Sequence, residues 1–563
     1  MALYMNETRW GRLDKAIEWS LRQMIFPRRE RFDAFQQFCG SHYAEGGAER
    51  IVPVNFLALA VMIFVRRLAA RAPTAMLSTV SQDIRPLAAT FQEALNLIPG
   101  EINLVHTLRQ WVTEAIFSPW GVIKCGLNNG KTFADLVTLD DYFIDMSATR
   151  MDTIDFEGND YWEDYEKIME DKRFVNKEGL SRDERTPLGP NGERRTQQIA
   201  VDETMVTYKD KKWLRDVWVP DEGLLVTVAV RDKRVIREVD LDELRHSPYF
   251  KLSYNSIPGQ LMPLPSVALW RDLHDLGNSL FRKLGNGADS QKTCLGFAND
   301  DEGVGAFKNA RDGEGFKYQG QDPKVLKAGG IDPQTMLFFL QTRDLMSYFA
   351  GNLDSLGGLG AQAETAMQDK LISGAANAQL DDMSDTTITA TESVFQALAY
   401  YEWTDPVKKR MLMKTVPGVD WKIPVEFGPA ERRNAEFGSF YIKLNVHSMQ
   451  KDSPEVKLGK LRGIVNEFIL PLADAIMAQG GVIDVKAILK RAGEYANFPE
   501  ADEFVIFVDM PESTRGPASG AGFKPAMTQR TYTHASSPAP QQSQTAQMMQ
   551  QLMSAGSSTG SSA

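Results

Sequence analysis

Residues 266–289 read SVALWRDLHDLGNSLFRKLGNGAD, and within them Leu269, Leu273, Leu276, Leu280 and Leu284 follow one another at spacings of three and four. That period lines one face of an α-helix of about six turns, at roughly 3.6 residues per turn. Gly277 and Gly285 weaken it. The next stretch, 292–331, is Gly-rich and charged, with short strands expected only at Thr293 to Phe297 and Gly315 to Gln319. Asp332-Pro333 then opens a second helix as N-cap and first helical residue, running from Gln334 to Asn352. Its apolar residues Met336, Leu337, Phe338, Phe339, Leu340, Leu345, Met346 and Phe349 occupy more than one face, which is more than a helix of a lone monomer needs. It is therefore expected to be packed from two sides.

Residues 353–364, LDSLGGLGAQAE, lack periodicity and carry Gly357, Gly358, Gly360 and Ala361, which reads as a mobile loop. A long helix resumes with Met367, Leu371, Ala375 and Ala378 and continues through Thr391, Val394, Leu398 and Tyr401 toward Asp405-Pro406. Ser384 to Thr389 has low helix propensity, so a kink is expected there.

On the N-terminal side, Trp10, Leu13, Ile17, Leu21 and Met24 recur at helical spacing until Pro27-Arg28-Arg29, where the pattern should stop. One face is apolar and the other basic, a design that packs on its own domain or lies on an anionic membrane surface. Helices follow at Val54 to Arg71, Leu87 to Leu97 and Ile102 to Phe117, the last presenting Leu104, Leu108, Trp111 and Ala115 on one face. From Trp120 the period becomes two: Gly121 to Leu127 and Thr132 to Leu139 form a hairpin through Asn128-Asn129-Gly130. Further strands are expected at Met205 to Tyr208, Val217 to Val219, Leu224 to Val230 and Val235 to Val239, while Lys172 to Gln198 reads as an exposed loop. The class is α+β, with short antiparallel strands over 120–254. Strands at Lys422 to Phe427 and Phe440 to His447, helices opening at Asp452 and Asp484, and a strand at Phe504 to Val508 complete the ordered part. From Pro511 onward Ser, Gly, Ala, Pro and Gln dominate, the composition of a disordered tail.

The composition bounds the chemistry. A chain of 563 residues, 43% hydrophobic and 24% charged, buries large cores. Cys39, Cys125 and Cys294 form no Cys-x-x-Cys pair, which excludes a disulfide framework and a thiolate zinc cage and suits a reducing compartment. A net charge of −11 disfavours gripping nucleic acid by broad phosphate neutralisation. The longest apolar run, Val54 to Val65, falls short of the roughly 20 residues of a membrane span, and Met1 to Trp10 offers no signal-peptide core.

Gly126 to Thr132, GLNNGKT, resembles a P-loop, but its first glycine is one residue too close and a strand follows where a helix is required, so it reads as a hairpin turn. Carboxylates crowd Asp135 to Asp171 without calcium-loop spacing; the interleaved Tyr142, Phe143, Phe156, Tyr161, Trp162 and Tyr165 read as core positions behind a solvated acidic surface. His42, His106, His246, His274, His447 and His534 stand singly, with no paired ligand or catalytic partner nearby in sequence. No catalytic residue, metal site or cofactor is indicated, and the chain is not expected to be an enzyme.

The order of helix, small insert, helix, Gly-rich loop and long helix resembles that of phage portal proteins, the head-to-tail connectors, those of short-tailed phages above all. The local runs Phe35-Gln36-Gln37-Phe38, Asp140-Asp141-Tyr142-Phe143, Val217-Trp218-Val219-Pro220 and Pro265-Ser266 before Leu273-His274-Asp275-Leu276-Gly277-Asn278-Ser279-Leu280 join in the resemblance, which spans most of 1–510. It implies a ring of about twelve copies at a capsid vertex of the virion, assembled in the host cytoplasm. Double-stranded DNA would be packaged through it by a separate terminase and later ejected. The partners implied are the terminase large subunit, a tail adaptor, and the major capsid and scaffolding proteins. By position, 1–265 would be the wing, 266–291 and 332–352 the two stem helices, and 292–331 the clip. Residues 353–364 would be the tunnel loop, 365–405 the kinked wing or tunnel helix, 406–510 a wing and crown part with the crown drawn from 452–497, and 511–563 the tail. The resemblance places Leu356, Gly357, Gly358, Leu359, Gly360 and Gln362 facing DNA, Glu302, Lys308, Arg311, Asp312 and Glu314 on the clip, and Leu273, Leu280, Phe338, Phe339 and Phe349 in subunit packing.

Residue physics agrees with a ring. Head-to-tail contacts cover a helix apolar on two faces and leave no unpaired end when the ring closes. Transport needs weak, even contact with DNA, which an acidic chain supplies better than a cationic lining. Two other readings compete: an internal virion or ejection protein touching membrane through residues 10–26, and a nucleotide-dependent enzyme built on Lys131.

Overall fold

The computed structural model describes residues 7–40, 52–128, 130–186, 188–196, 205–241, 246–296, 324–328, 330–351, 366–415, 422–433, 435–445 and 454–473, with isolated positions at 309, 353 and between 475 and 493. The chain divides into two units, Met1–Lys451 and Asp452–Ala563.

In the first unit, α1 (Glu7–Gln23) and α2 (Ile25–Cys39) meet at Met24. Pro27 does not stop the helical run; it sits in the first turn of α2, where a backbone N–H would have no intrahelical partner. Trp10, Ile17, Leu21 and Met24 are buried as their spacing predicts. Asn55 caps α3 (Phe56–Leu68), its side chain accepting from the Ala58 amide at 2.9 Å. β1 (Ala75–Thr79), α4 (Arg85–Glu101) and α5 (Leu104–Phe117) follow. The predicted face of α5, Leu104, Leu108, Trp111 and Ala115, lies wholly in the core.

β2 (Gly121–Asn128) and β3 (Lys131–Val137) form the expected hairpin, closed by Gly130 at a φ of 73° that favours glycine. With β4 (Tyr142–Ile144), β5 (Glu157–Asp164), α6 (Tyr165–Glu170), β6 (Lys211–Val219), β7 (Leu224–Ala229), β8 (Arg234–Asp240) and β9 (Tyr249–Leu252) the chain builds two antiparallel sheets. Their orders are β3-β2-β9 and β4-β5-β6-β7-β8. α1 and both sheets contribute to one apolar cluster around Trp120, Tyr142 and Val226.

Three expectations fail in this region. Met205 to Tyr208 forms no strand. The acidic stretch is not a solvated surface: it contains β5, and Asp140, Asp145, Glu157, Asp160 and Asp164 are buried. Cross-strand cations make this tolerable, Arg215 clasping Asp160 at 2.6 and 3.0 Å and Lys211 pairing with Asp164. Nor is the segment from Lys172 an exposed loop, since Phe174, Leu180, Asp183, Glu193 and Arg195 are buried.

α7 (Ser266–Asp289) has the predicted bounds. The insert begins and ends as an antiparallel pair, β10 (Lys292–Gly296) with β11 (Lys324–Ala328); the strand expected at Gly315 to Gln319 lies outside the described residues. α8 (Pro333–Phe349) follows, then α9 (Ala366–Thr404), helical throughout 39 residues. The low-propensity run stays helical within α9, and Thr386, Thr387, Thr389 and Thr391 turn their hydroxyls onto the carbonyls four residues earlier at 2.6–2.9 Å, a back-bonding that tends to bend a helix without ending it.

β12 (Arg410–Thr415) pairs with β13 (Lys422–Phe427), α10 (Pro429–Arg432) follows, and β14 (Phe440–Leu444) returns to pair with β1. Helices α3, α4, α5, α7, α8 and α9 and strands β12 to β14 share the largest core. The mixed, antiparallel architecture is α+β. In the second unit α11 (Pro454–Ile464) opens where Asp452-Ser453-Pro454 predicts and continues as a π-helical turn, Val465–Ile469. Apart from isolated helical positions, the helix from Asp484, the strand at 504–508 and the tail from 511 lie outside the described residues.

Candidate functional site

α7 and α8 pack as a pair. The Asp332 carboxylate accepts from the amides of Gln334 at 3.3 Å and Thr335 at 3.1 Å, which fixes the start of α8. Phe339 packs at a tilt against Phe281 of α7 at 5.2 Å and stacks with Phe56 of α3 at 6.4 Å between centroids. Trp270 lies flat on Phe64 at 5.6 Å. Gly277 is required by this packing, since a Cβ there would stand 2.8 Å from the Phe56 ring. Deeper still, His274 is fully buried beside Asn278, whose Oδ1 accepts from the Val54 amide at 3.0 Å. Burial, helped by Arg282, pushes the His274 imidazole down to about 4.

The other flank of the pair is left open by the described residues. Leu269, Leu276 and Phe281 on α7, and Met336, Leu337, Phe338, Leu345, Tyr348 and Phe349 on α8, are all substantially exposed; Leu337 is 58% and Phe338 47% open. Only Thr342, Met346 and Ser347 of α8 are fully turned inward. Of the packing residues expected from sequence, Phe338 and Phe349 lie on the open flank, Leu273 and Phe339 pack on the chain's own core, and Leu280 is half-buried. Leu269, Leu276, Phe281, Met336, Leu337, Leu345 and Tyr348 complete the flank. Their signal was the helical excess of apolar residues, which does not say which of them the chain covers.

A second feature is a cleft of about 1240 Å³ between the two sheets. Lys124 sits at its floor, bonded to Asn159 at 2.9 Å and Asp216 at 2.5 Å, with the Tyr161 and Tyr249 rings 5.5 and 5.4 Å away. Glu157, fully buried, accepts from Tyr142 and Lys251 at 2.6 Å each. Asp141 also lines the cleft, and burial raises it to about 6 against the pull of Arg195. Burial would raise Asp140 too, but Arg31 and the Thr196 hydrogen bonds hold it below the ordinary range. These carboxylates are paired with cations across elements. Among the described residues no cluster of three His, Cys, Asp or Glu side chains is placed to hold a metal ion, and no helix is long and apolar enough to cross a membrane.

Gly126 to Thr132 lies in the β2–β3 hairpin, so no helix N-terminus meets Lys131. The clip residues Glu302, Lys308, Arg311, Asp312 and Glu314 and the loop residues Leu356, Gly357, Gly358, Leu359, Gly360 and Gln362 lie outside the described residues. Compared with known proteins, the chain matches no family model and no curated protein.

Proposed function

We propose that this chain is the subunit of a phage portal, a closed ring through which double-stranded DNA is packaged and ejected. The observation that carries the reading is the open apolar flank of α7 and α8. Exposed leucine, phenylalanine, methionine and tyrosine side chains gathered on two paired helices mark an interaction surface, and a neighbour of the same kind on each side covers it without leaving an end. The order along the chain supports the same reading: paired helices, an insert based on a two-stranded ladder, then a helix of 39 residues. In this reading 292–331 docks terminase and then the tail adaptor, and 353–364 faces the duplex. The rival reading as a membrane-contacting ejection protein started from the apolar face of residues 10–26; Trp10, Ile17, Leu21 and Met24 of that face are buried in the sheet cluster.

Negative-stain microscopy of the purified chain tests the proposal. Annuli with a central hole are expected; a population of single chains at micromolar concentration would overturn it.

A further inference from the structure

The face of α1 that looks away from the core carries on into α2. Helical hydrogen bonding runs through their junction, where the Met24 amide donates to the Ser20 carbonyl and the Arg28 amide to the Met24 carbonyl, each at 3.1 Å. At about 3.6 residues per turn, Arg12, Lys15, Trp19, Arg22, Phe26 and Arg29 therefore fall within one arc of roughly 100°, in a row about 26 Å long. All six are exposed, Phe26 at 70% and Trp19 at 44%.

The cations of this row are unmatched. Among the described residues Arg12, Lys15, Arg22 and Arg29 form no ion pair. The acids beside them are engaged elsewhere: Asp14 and Glu18 pair with Lys233, and Glu30 and Asp33 with Arg271. Like charges one turn apart, as in Arg12 and Lys15, disfavour a helix until an anion joins them. A net charge of −11 argues against a broad grip on phosphates, and a narrow row of four cations is a local exception to it.

The two rings decide which polyanion fits. A bilayer takes up a helix by its apolar face, and that face of α1, with Ile17, Leu21 and Met24, is buried in the sheet cluster. A duplex keeps its bases stacked inside and leaves the rings only sugar and phosphate to meet. An unpaired strand offers both partners at once, phosphates for the cations and base faces for the aromatic side chains that alternate with them.

We propose that this row is a track for single-stranded nucleic acid, Arg12, Lys15, Arg22 and Arg29 lying on the phosphates and Trp19 and Phe26 each stacking on a base. The track is complete on one chain, so the proposal goes beyond the portal reading and does not rest on it.

The test titrates a fluorescein-labelled oligothymidine of about 20 nucleotides with the full-length chain and follows anisotropy. Binding is expected, with a slope of log K against log salt near −3, as about four cations on a single strand give. Trp19→Ala with Phe26→Ala should weaken it at least tenfold, and Arg22→Gln with Arg29→Gln should make the slope shallower by about 1.4. All four positions are exposed, so both variants should melt with the parent chain. No binding at about 50 mM salt, or binding that both variants leave unchanged, would overturn the proposal. So would a duplex of the same length that binds as tightly, or flotation with phosphatidylcholine–phosphatidylserine vesicles that the oligonucleotide does not reverse, since either assigns the row to a different anion.

Discussion

The amide of Gly330 donates to the carbonyl of Gly287 at 3.1 Å, and a Cβ placed on Gly287 would lie 2.9 Å from the Gly330 oxygen. The last turn of α7 and the approach to α8 thus touch backbone to backbone, just before the β10–β11 ladder begins. Gly287→Val is expected to cost about 1–3 kcal/mol and to speed amide exchange over 292–296. Gly285, two residues away, has nothing within 4 Å of its would-be Cβ, so Gly285→Ala is expected to stabilise by about 0.5–1 kcal/mol. Thermal melting of the two variants, moving in opposite directions, checks the pair.

His274 gives α7 a pH dependence. Its imidazole is held at about 4 against an ordinary 6.5, so the fold favours the neutral form. The contribution is fully present above pH 6.5 and is lost as pH falls through that range toward 4, to a total of about 3 kcal/mol. Urea midpoints measured at pH 7.5 and pH 4.5 should converge toward each other in His274→Gln, and an unchanged slope would refute the assignment.

Arg432 closes the end of α9. Its guanidinium donates to the carbonyls of Glu402 at 2.5 Å, Trp403 at 3.2 Å, Asp405 at 2.8 Å and also Lys408. Arg432→Met leaves these terminal carbonyls without donors and should cost about 2–4 kcal/mol by chemical denaturation. Arg432→Lys should recover less than half, because an ammonium lacks the planar fork that reaches several acceptors at once.

The open flank predicts a separation of assembly from folding. Leu337 and Leu345 are both about half-exposed, so Leu337→Glu with Leu345→Glu should leave the single chain's stability within about 0.5 kcal/mol. The same pair of substitutions should abolish annuli under negative stain and leave a single-chain species in sedimentation. Rings that persist would place the subunit contact elsewhere.

If 353–364 faces the duplex as proposed, Leu356→Lys with Leu359→Lys is expected to slow DNA packaging, since two cations would hold phosphates. Packaging rate and retention in reconstituted heads measure the effect. Equal values in both chains would remove Leu356 and Leu359 from the DNA path.

Much of the helical frame is legible in the sequence because its information is local. The leucine spacing after Pro265 marks α7 to the residue, and Leu104, Leu108, Trp111 and Ala115 mark the buried face of α5. β5 is not legible, because what makes an acidic strand tolerable lies some 50 residues on, in Lys211 and Arg215. The flank is legible only in part. Adjacent Phe338 and Phe339 carry the same local signal, and it is Phe56, far away in sequence, that covers one and leaves the other open. Met205 to Tyr208 shows the converse: the apolar alternation is present, but the chain bends at Tyr208 and Lys209 and forms no strand over 205–208.

The pairing of β1 with β14 sets a clock on synthesis. Ala75–Thr79 finds its ladder only when Phe440–Leu444 has been made, about 360 residues later. One edge of the strand is met early, by Asn96 and Gln92 of α4 on Ala75 and Leu77, but at roughly 5–20 residues per second the edge that faces β14 waits about 20–70 s beside a translating ribosome. Met76 and Leu77 are thereby a natural place for a chaperone to hold the nascent chain, and a slow-codon stretch after position 80 would lengthen that vulnerable interval without altering the finished molecule.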